Sequence, residues 1–410
     1  MFDSAPPHFE IFASTAPGLE SIVAGELKAL GIRGKQEIGG VAFPGNLERI
    51  YASNLWLRTA SRVTVRLGRF HASTFFELER RAKKLPWETF LPASARVRVR
   101  VTCRKSKLYH SDAVAERVLK AIASATSRAV DVVDSQPDDE AAESEAVDSP
   151  SQLFVVRIVH DECEISADSS GELLHRRGYR QEVGKAPLRE TIAAAMILAS
   201  GWKSQFALLD PMCGSGTIPI EAAMLARTIA PGLNRRFQFM DWPGFDSGKW
   251  KEMLEKARGA VTNFAGEIVG ADRDEGAIGA AMRNAERAGV GENVRFSTRS
   301  VSESMADTQN LKNEGGWILT NPPYGLRVGA AGDLRNLYAT LGSRVRAADG
   351  WRLGILTSDS ALVHHTGLSL APRFSTSNGG IAVGFFVSER DAADPTRRRG
   401  TMARSGKHNV

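Results

Sequence analysis

Only three cysteines, Cys103, Cys163 and Cys213, occur in 410 residues, too few and too far apart for a disulfide framework or for the close pairs of a zinc site. A reducing compartment is expected. No apolar stretch approaches the ~18 residues that a membrane span requires. The segment from Met1 to Ile11 holds acids and prolines where a secretory leader needs a basic start and an apolar run. We therefore expect a cytoplasmic protein without a membrane partner. No Gly-Lys-Ser or Gly-Lys-Thr pair exists, which excludes a phosphate loop for nucleoside triphosphates. Lys and Arg are missing from 131–149, where eight acids and Pro137 suggest a disordered acidic insertion.

What is present is apolar enough for more than one core. At 42% hydrophobic residues, a chain of this length builds two or three domains. The net charge of +6 understates the basic character, since setting 131–149 aside leaves +14. From Arg58 to Lys107 there are fourteen Lys or Arg against three Glu. Such clustering suits a polyanion such as nucleic acid, the alternative being a solvated surface that maintains solubility.

Along the chain, the first 60 residues read as strand, helix, strand, helix. Leu19, Ile22, Val23, Leu27 and Leu30 recur at helical spacing until Gly31. A second module starts near Arg62, with a helix over 74–85. Val97, Val99 and Val101 then alternate with Arg96, Arg98 and Arg100, the pattern of a half-buried strand with a basic face. These arginines, with Lys105 and Lys107, are candidates for phosphate contact, a solvated strand face being the alternative. Further strands are expected at 153–159 and 164–167. From Pro187 helices and strands alternate, as in a mostly parallel sheet covered on both faces, with strands at 206–209, 268–271, 294–296, 317–320 and 352–357 and a last apolar run at 381–387. The polar, basic tail from Ser388 reads as mobile. Trp242 and Trp250 read as core or interface.

Three segments carry chemistry. In Leu208-Leu209-Asp210-Pro211-Met212-Cys213-Gly214-Ser215-Gly216-Thr217 a strand enters a glycine turn and then a helix, so that backbone can approach a ligand closely. A dinucleotide site would want a third glycine where Pro219 stands, so the loop fits a nucleoside without a pyrophosphate. Cys213 reads as a small packing residue within it. About sixty residues later Ile268-Val269-Gly270-Ala271-Asp272-Arg273-Asp274 ends a strand in carboxylates. Asp272 is the candidate acceptor for ribose hydroxyls, and Asp274 better suits a helix cap. The third segment is Asn321-Pro322-Pro323-Tyr324-Gly325, directly after an apolar strand. An exocyclic amine on a nucleobase is a weak nucleophile because its lone pair is delocalised. If the Asn321 side-chain oxygen and the Pro322 carbonyl each accept an N–H bond, the nitrogen can pyramidalise and aim that lone pair at an electrophilic methyl group. Pro322 and Pro323 stiffen the turn, and Tyr324 offers a ring on which a base stacks.

Together these segments resemble the class I S-adenosyl-L-methionine-dependent methyltransferases. The stretches Ala16-Pro17-Gly18-Leu19-Glu20, Ser106-Lys107-Leu108-Tyr109-His110, Arg177-Gly178-Tyr179-Arg180 and Ala186-Pro187-Leu188-Arg189-Glu190-Thr191 look more narrowly like the THUMP-domain RNA guanine-N2 methyltransferases. The resemblance implies an α/β chain whose C-terminal Rossmann-like class I methyltransferase domain is preceded by a ferredoxin-like plus THUMP α+β RNA-binding region. The expected division is 1–60 ferredoxin-like, 61–170 THUMP, 171–185 linker, 186–390 methyltransferase and 391–410 basic tail. It also implies catalysis by Asn321, Pro322, Pro323 and Tyr324, and a cofactor site of Leu188, Thr191, Asp210, Pro211, Cys213, Gly214, Ser215, Gly216, Thr217 and Asp272. The implied substrate is RNA, ribosomal (of the large subunit) before transfer RNA. One departure is Ser300, which stands where such enzymes often carry an acid for the cofactor's adenine. Adenine N6 in RNA or DNA is a competing target, since the motif serves both amines. A catalytically inactive RNA-binding assembly factor is a competing role.

Overall fold

Residues 8–91, 96–126, 151–182, 188–306, 315–323 and 331–389 are described by a computed structural model of the chain. Tyr324, the acidic insertion and the basic tail lie outside the described residues. The N-terminal part is β1 (Phe9–Ser14), α1 (Glu20–Ala29), β2 (Lys35–Glu37), β3 (Gly40–Gly45), α2 (Leu47–Trp56), β4 (Arg62–His71), α3 (Phe75–Ala82), β5 (Arg96–Arg104), α4 (Ser111–Thr126), β6 (Ser151–Val159) and β7 (Glu162–Asp168). Asn46 and Thr74 cap α2 and α3 by accepting the N–H groups of Arg49 and Glu77.

These strands form one sheet in the order β2-β3-β1-β4-β7-β6-β5. β4 is the hinge of that arrangement: its first half pairs antiparallel with β1 and nearly its whole length with β7. The two modules read from the sequence therefore share a continuous sheet and a single core, in which Ile11, Val63, Phe154 and Ile165 belong to one buried cluster. β5 is the terminal strand and runs parallel to β6. Its valines at 97 and 99 are buried, whereas Arg96 is exposed and Arg98 and Arg100 are half-buried.

The second sheet is built from α5 (Glu190–Ser200), β8 (Ala207–Asp210), α6 (Thr217–Ala226), α7 (Ser247–Gly259), β9 (Ile268–Asp272), α8 (Glu275–Arg287), β10 (Arg295–Thr298), α9 (Val301–Ala306), β11 (Gly316–Thr320), α10 (Ala331–Ala347), β12 (Trp351–Thr357), α11 (Ser360–Val363), β13 (Leu370–Asn378) and β14 (Ile381–Ser388). Its order is β10-β9-β8-β11-β12-β14-β13. The first five strands are parallel, and β14 runs antiparallel to both neighbours. β13 escapes a sequence reading because Pro372, a register shift between Pro372 and Phe374, and buried Thr376 and Asn378 erase the apolar alternation. No helix among the described residues is long and apolar enough to cross a membrane.

The two sheets are clasped from both sides. Between α6 and β9 the chain sends Phe237, Phe239, Trp242 and Trp250 into the N-terminal core. Trp242 packs edge-on against Phe90 at 4.8 Å and donates its indole N–H to Gln152 Oε1 at 2.8 Å, while Tyr51 stacks on Phe239 at 4.6 Å. In return Leu19 is buried in the second core. Gly18 makes that possible: its φ is +85°, and an added Cβ would lie 2.0 Å from the Ser375 carbonyl oxygen.

Candidate active site

A parallel sheet binds ligands at the carboxyl ends of its strands, where the strand order reverses. Here that point lies between β8 and β11, and the chemistry-bearing segments end there. Asp210 closes β8, Asp272 closes β9, and Asn321 follows β11.

The glycine loop is shaped by backbone bonds. Cys213 N donates to Ala271 O at 2.9 Å and Gly216 N to Cys213 O at 2.8 Å, which folds the loop over the end of β9. Gly214 (φ +52°) and Gly216 (φ +86°) adopt the left-handed conformation this requires. A Cβ on Gly214 would meet nothing within 4 Å, so the loop presents open backbone there. Pro219 falls in the first turn of α6, where a missing N–H breaks no helical bond. Pro211, Cys213, Ser215 and Thr217 are buried beneath the loop. Burial pushes the Cys213 thiol well above its ordinary range, leaving it inert.

Asp272 Oδ2 accepts the Gly214 N–H at 2.9 Å and Oδ1 accepts that of Asp274 at 3.1 Å. Asp272 thus couples the two loops and remains partly accessible. Asp274 caps α8 through the N–H groups of Gly276 and Ala277. Asp210 is enclosed; it accepts the Thr320 hydroxyl at 2.9 Å and the Met212 N–H at 3.2 Å. Burial pushes its carboxyl up to about 7, and the Asp272 charge adds to that rise. Thr320 therefore ties the end of β11 to the end of β8, immediately before Asn321. Asn321 Oδ1 is buried and has no hydrogen-bond partner among the described residues, a vacant acceptor of the kind an amine N–H satisfies. Pro322 is buried beside it and Pro323 is exposed.

Two residues that sequence reasoning missed, Glu303 and Asn284, help to organise this site. Ser300 and Glu303 form a reciprocal capping box on α9: the Ser300 hydroxyl and N–H both donate to Glu303 Oε2, at 2.7 and 2.9 Å. A carboxylate is therefore present beside Ser300, held below the usual range first by the serine hydroxyl and then by its N–H. The Ser-x-x-Glu spacing was the signal for it. Asn284, fully buried on α8, donates its amide to Ser215 O at 3.2 Å and to Glu182 O at 3.1 Å, joining the glycine loop to the linker.

The linker itself is anchored by a buried polar network. Arg177 bonds Glu221 on α6, Leu174 O and Arg58 O, while the Tyr179 hydroxyl donates to Glu221 Oε1 at 3.1 Å. Arg180 donates to Leu188 O at 2.8 Å and pairs with Glu190 at 2.9 Å. Leu188 and Thr191 are thereby held, buried, at the start of α5, and burial pushes Glu190 up to about 7. Lys105 and Lys107 are exposed on the loop after β5, with the Lys107 N–H donated to Asp161 Oδ1 at 2.7 Å. These lysines and the β5 arginines belong to the first sheet, Asn321 and the acids to the second.

Comparison with known proteins covers almost the whole of this architecture. Residues 177–382 match an RMKL-like methyltransferase domain, 10–64 an RlmL ferredoxin-like domain and 72–168 a THUMP domain. A ribosomal RNA large subunit methyltransferase K/L of Syntrophotalea carbinolica is 36% identical over 91% of the chain, which spans 52% of that protein. The chain thus spans about half the length of that relative. YpsC of Bacillus subtilis is 33% identical over 92% of the chain and 95% of its own length. The crystal structure of SMU.472, complexed with S-adenosylhomocysteine, superposes with a TM-score of 0.82 at 30% identity, covering 95% of this chain and 100% of that one.

Proposed function

The chain belongs to the RMKL-like methyltransferase domain family of S-adenosylmethionine-dependent enzymes. From that premise we propose that it methylates N2 of a guanine in structured RNA, large-subunit ribosomal RNA before transfer RNA, in the cytoplasm. The observation that carries the reading is Asn321 Oδ1, a buried acceptor without a partner among the described residues, at the carboxyl end of β11.

The residues fit the cofactor. Gly214 opens the loop to it and Gly216 lets the loop pack on Ala281, Asp272 offers acceptors to a ribose, and the capping box at Ser300 and Glu303 can receive an adenine amine. Bound there, S-adenosylmethionine supplies an electrophilic methyl on a sulfonium. Asn321 Oδ1 and the Pro322 carbonyl accept the two N–H bonds of the target amine and draw its nitrogen out of conjugation, a preorganised polar effect of the order of the ~2.7–4 kcal/mol that one oxyanion-hole donor supplies. Thr320, fixed to Asp210, keeps the asparagine in register. The ferredoxin-like and THUMP modules supply the RNA-binding surface, in keeping with the names of the relatives.

Unmodified ribosomal RNA, transfer RNA and DNA should each be incubated with protein and cofactor, digested, and read by nucleoside mass spectrometry. N2-methylguanosine from ribosomal RNA is expected, and Asn321→Ala should lower its rate of formation by about 10²–10³-fold with RNA affinity unchanged. N6-methyladenosine alone would overturn the base assignment. Methylation of transfer RNA only would keep the mechanism and refute the preferred RNA.

A further inference from the structure

One element at the carboxyl end of the second sheet lies outside the site described above: the hairpin that joins β13 to β14. Register places it. Thr320 of β11 lies opposite Ile355 of β12, and Thr357 of β12 lies opposite Gly384 of β14, so Ile381 projects well beyond both. At ~3.4 Å per residue and ~4.8 Å between strands, Ile381 stands about 13 Å further out than Asn321 and about 10 Å to one side.

The hairpin is built to keep its shape. Asn378 pairs with Ile381 across a two-residue turn, and both turn residues have positive φ, Gly379 at +57° and Gly380 at +80°. That is the type I′ geometry, whose twist matches the strands it connects. A Cβ on either glycine would meet nothing within 4 Å, so the tip stands clear of the other described residues. Its root is fastened, with Asn378 buried and its Oδ1 receiving the Arg189 N–H at the start of α5. On this prong Ile381 is 42% exposed, a stiff apolar side chain at the carboxyl end of the sheet.

Two further observations bear on what meets it. Gly18 packs on Ser375 of β13, three residues from the turn, so the N-terminal module adjoins the root of this hairpin. Asn321 lies about 13 Å behind the tip along the strands, so a guanine in a duplex that rests on the tip reaches the vacant acceptor only by leaving the stack. The nucleotide has to leave the stack, and the gap it leaves has to be filled or closed.

We propose that the β13–β14 hairpin is a wedge, with Ile381 entering the base stack and holding the target nucleotide extruded toward Asn321. The inference rests on the reading of the site as a nucleobase methyltransferase. Apolar side chains that enter base steps do this by replacing the stacking that the extruded base gives up.

The test uses the full chain and a short RNA hairpin carrying the guanine that nucleoside mapping identifies, either paired with cytosine or opposite an abasic position. Ile381→Ser should lower kcat/KM on the paired substrate by about tenfold or more and on the abasic-partner substrate by less than about twofold, since the second no longer needs the wedge. Ile381→Leu should restore the paired rate, and S-adenosylhomocysteine affinity by calorimetry should be unchanged in both variants. Equal losses on the two substrates, or none on the paired one, would overturn the wedge while leaving the methyltransferase reading intact. A wild-type chain that methylates neither substrate overturns that reading and the wedge with it.

Discussion

Asp210 shows how far a single side chain departs from what its sequence neighbourhood discloses. The Asp-Pro-x-Cys-Gly-Ser-Gly run marks a ligand loop because only glycine adopts the backbone of Gly214 and Gly216 without strain, and that much is local. The carboxyl of Asp210, by contrast, is pushed up to about 7 by burial against strands that lie far away in the chain. Free carboxyls titrate near ~4, so between those values the folded chain retains a proton that the unfolded chain has lost. Stability from this group is full below the unfolded value and is lost as pH rises through about 7. Asp210→Asn should therefore raise the thermal midpoint of the ligand-free chain at pH 8, and less at pH 5, in scanning calorimetry. If the carboxylate form receives the α-ammonium group that the cofactor shares with S-adenosylhomocysteine, wild-type affinity for S-adenosylhomocysteine should fall from pH 8 to pH 6, and the variant should be weak and flat across that range. A variant that binds as tightly as wild type would remove Asp210 from the site. Asn284 and Glu221 were illegible for a related reason, because a polar residue on a helix shows its buried partner only after the fold has formed.

At the scale of elements, the sequence disclosed what repeats locally and missed what pairs at a distance. The valine–arginine alternation of β5 and the apolar strands β8, β9, β11 and β12 stood out. β13 did not, since an edge strand with a proline and polar buried positions carries no period. The segment through α7 was also missed as a clasp, although Trp242 and Trp250 read as core or interface. We infer that residues 186–390 should not form a self-contained unit: a chain begun there would expose Phe237, Phe239, Trp242 and Trp250 to water. Such a truncated chain should bind hydrophobic dye and unfold with reduced cooperativity. In the full chain, Gly18→Ala should destabilise by about 1–3 kcal/mol in urea titration, because the methyl group overpacks against Ser375 at a backbone angle that disfavours it. Truncation without dye binding, or a Gly18→Ala chain as stable as wild type, would show that the clasp contributes little.

For the whole molecule, the basic excess counted between Arg58 and Lys107 overstates what RNA can meet, because a sequence does not disclose which charges are already paired. Arg58 and Arg62 are buried, with Arg62 bonded to Asp168, and Arg66 is ringed by Glu10, Glu37 and Glu164 with only 5% of its side chain exposed. Arg62 and Arg66 hold the first sheet together, and Arg58 ties it to the Ile229 carbonyl after α6. Lys105 and Lys107 are different: they stand exposed on one loop, beside Tyr109, which is 69% exposed and lies 4.1 Å from the His110 ring. A basic loop next to an exposed aromatic is suited to a phosphate backbone with an unpaired base. RNA affinity should accordingly fall with salt, and replacing Lys105 and Lys107 together by Ala should flatten the log–log slope by about 0.7 to 0.9 for each phosphate that is no longer neutralised. Arg66→Ala should leave the slope unchanged and lower stability, since it strands Glu10 and Glu37 and leaves Glu164 to Arg69 alone. Filter binding of unmodified ribosomal RNA fragments from about 50 to 200 mM salt, paired with thermal melts, separates the two effects. A slope that flattens in Arg66→Ala and not in the lysine double variant would place the RNA across the open sheet face rather than on the loop beyond β5.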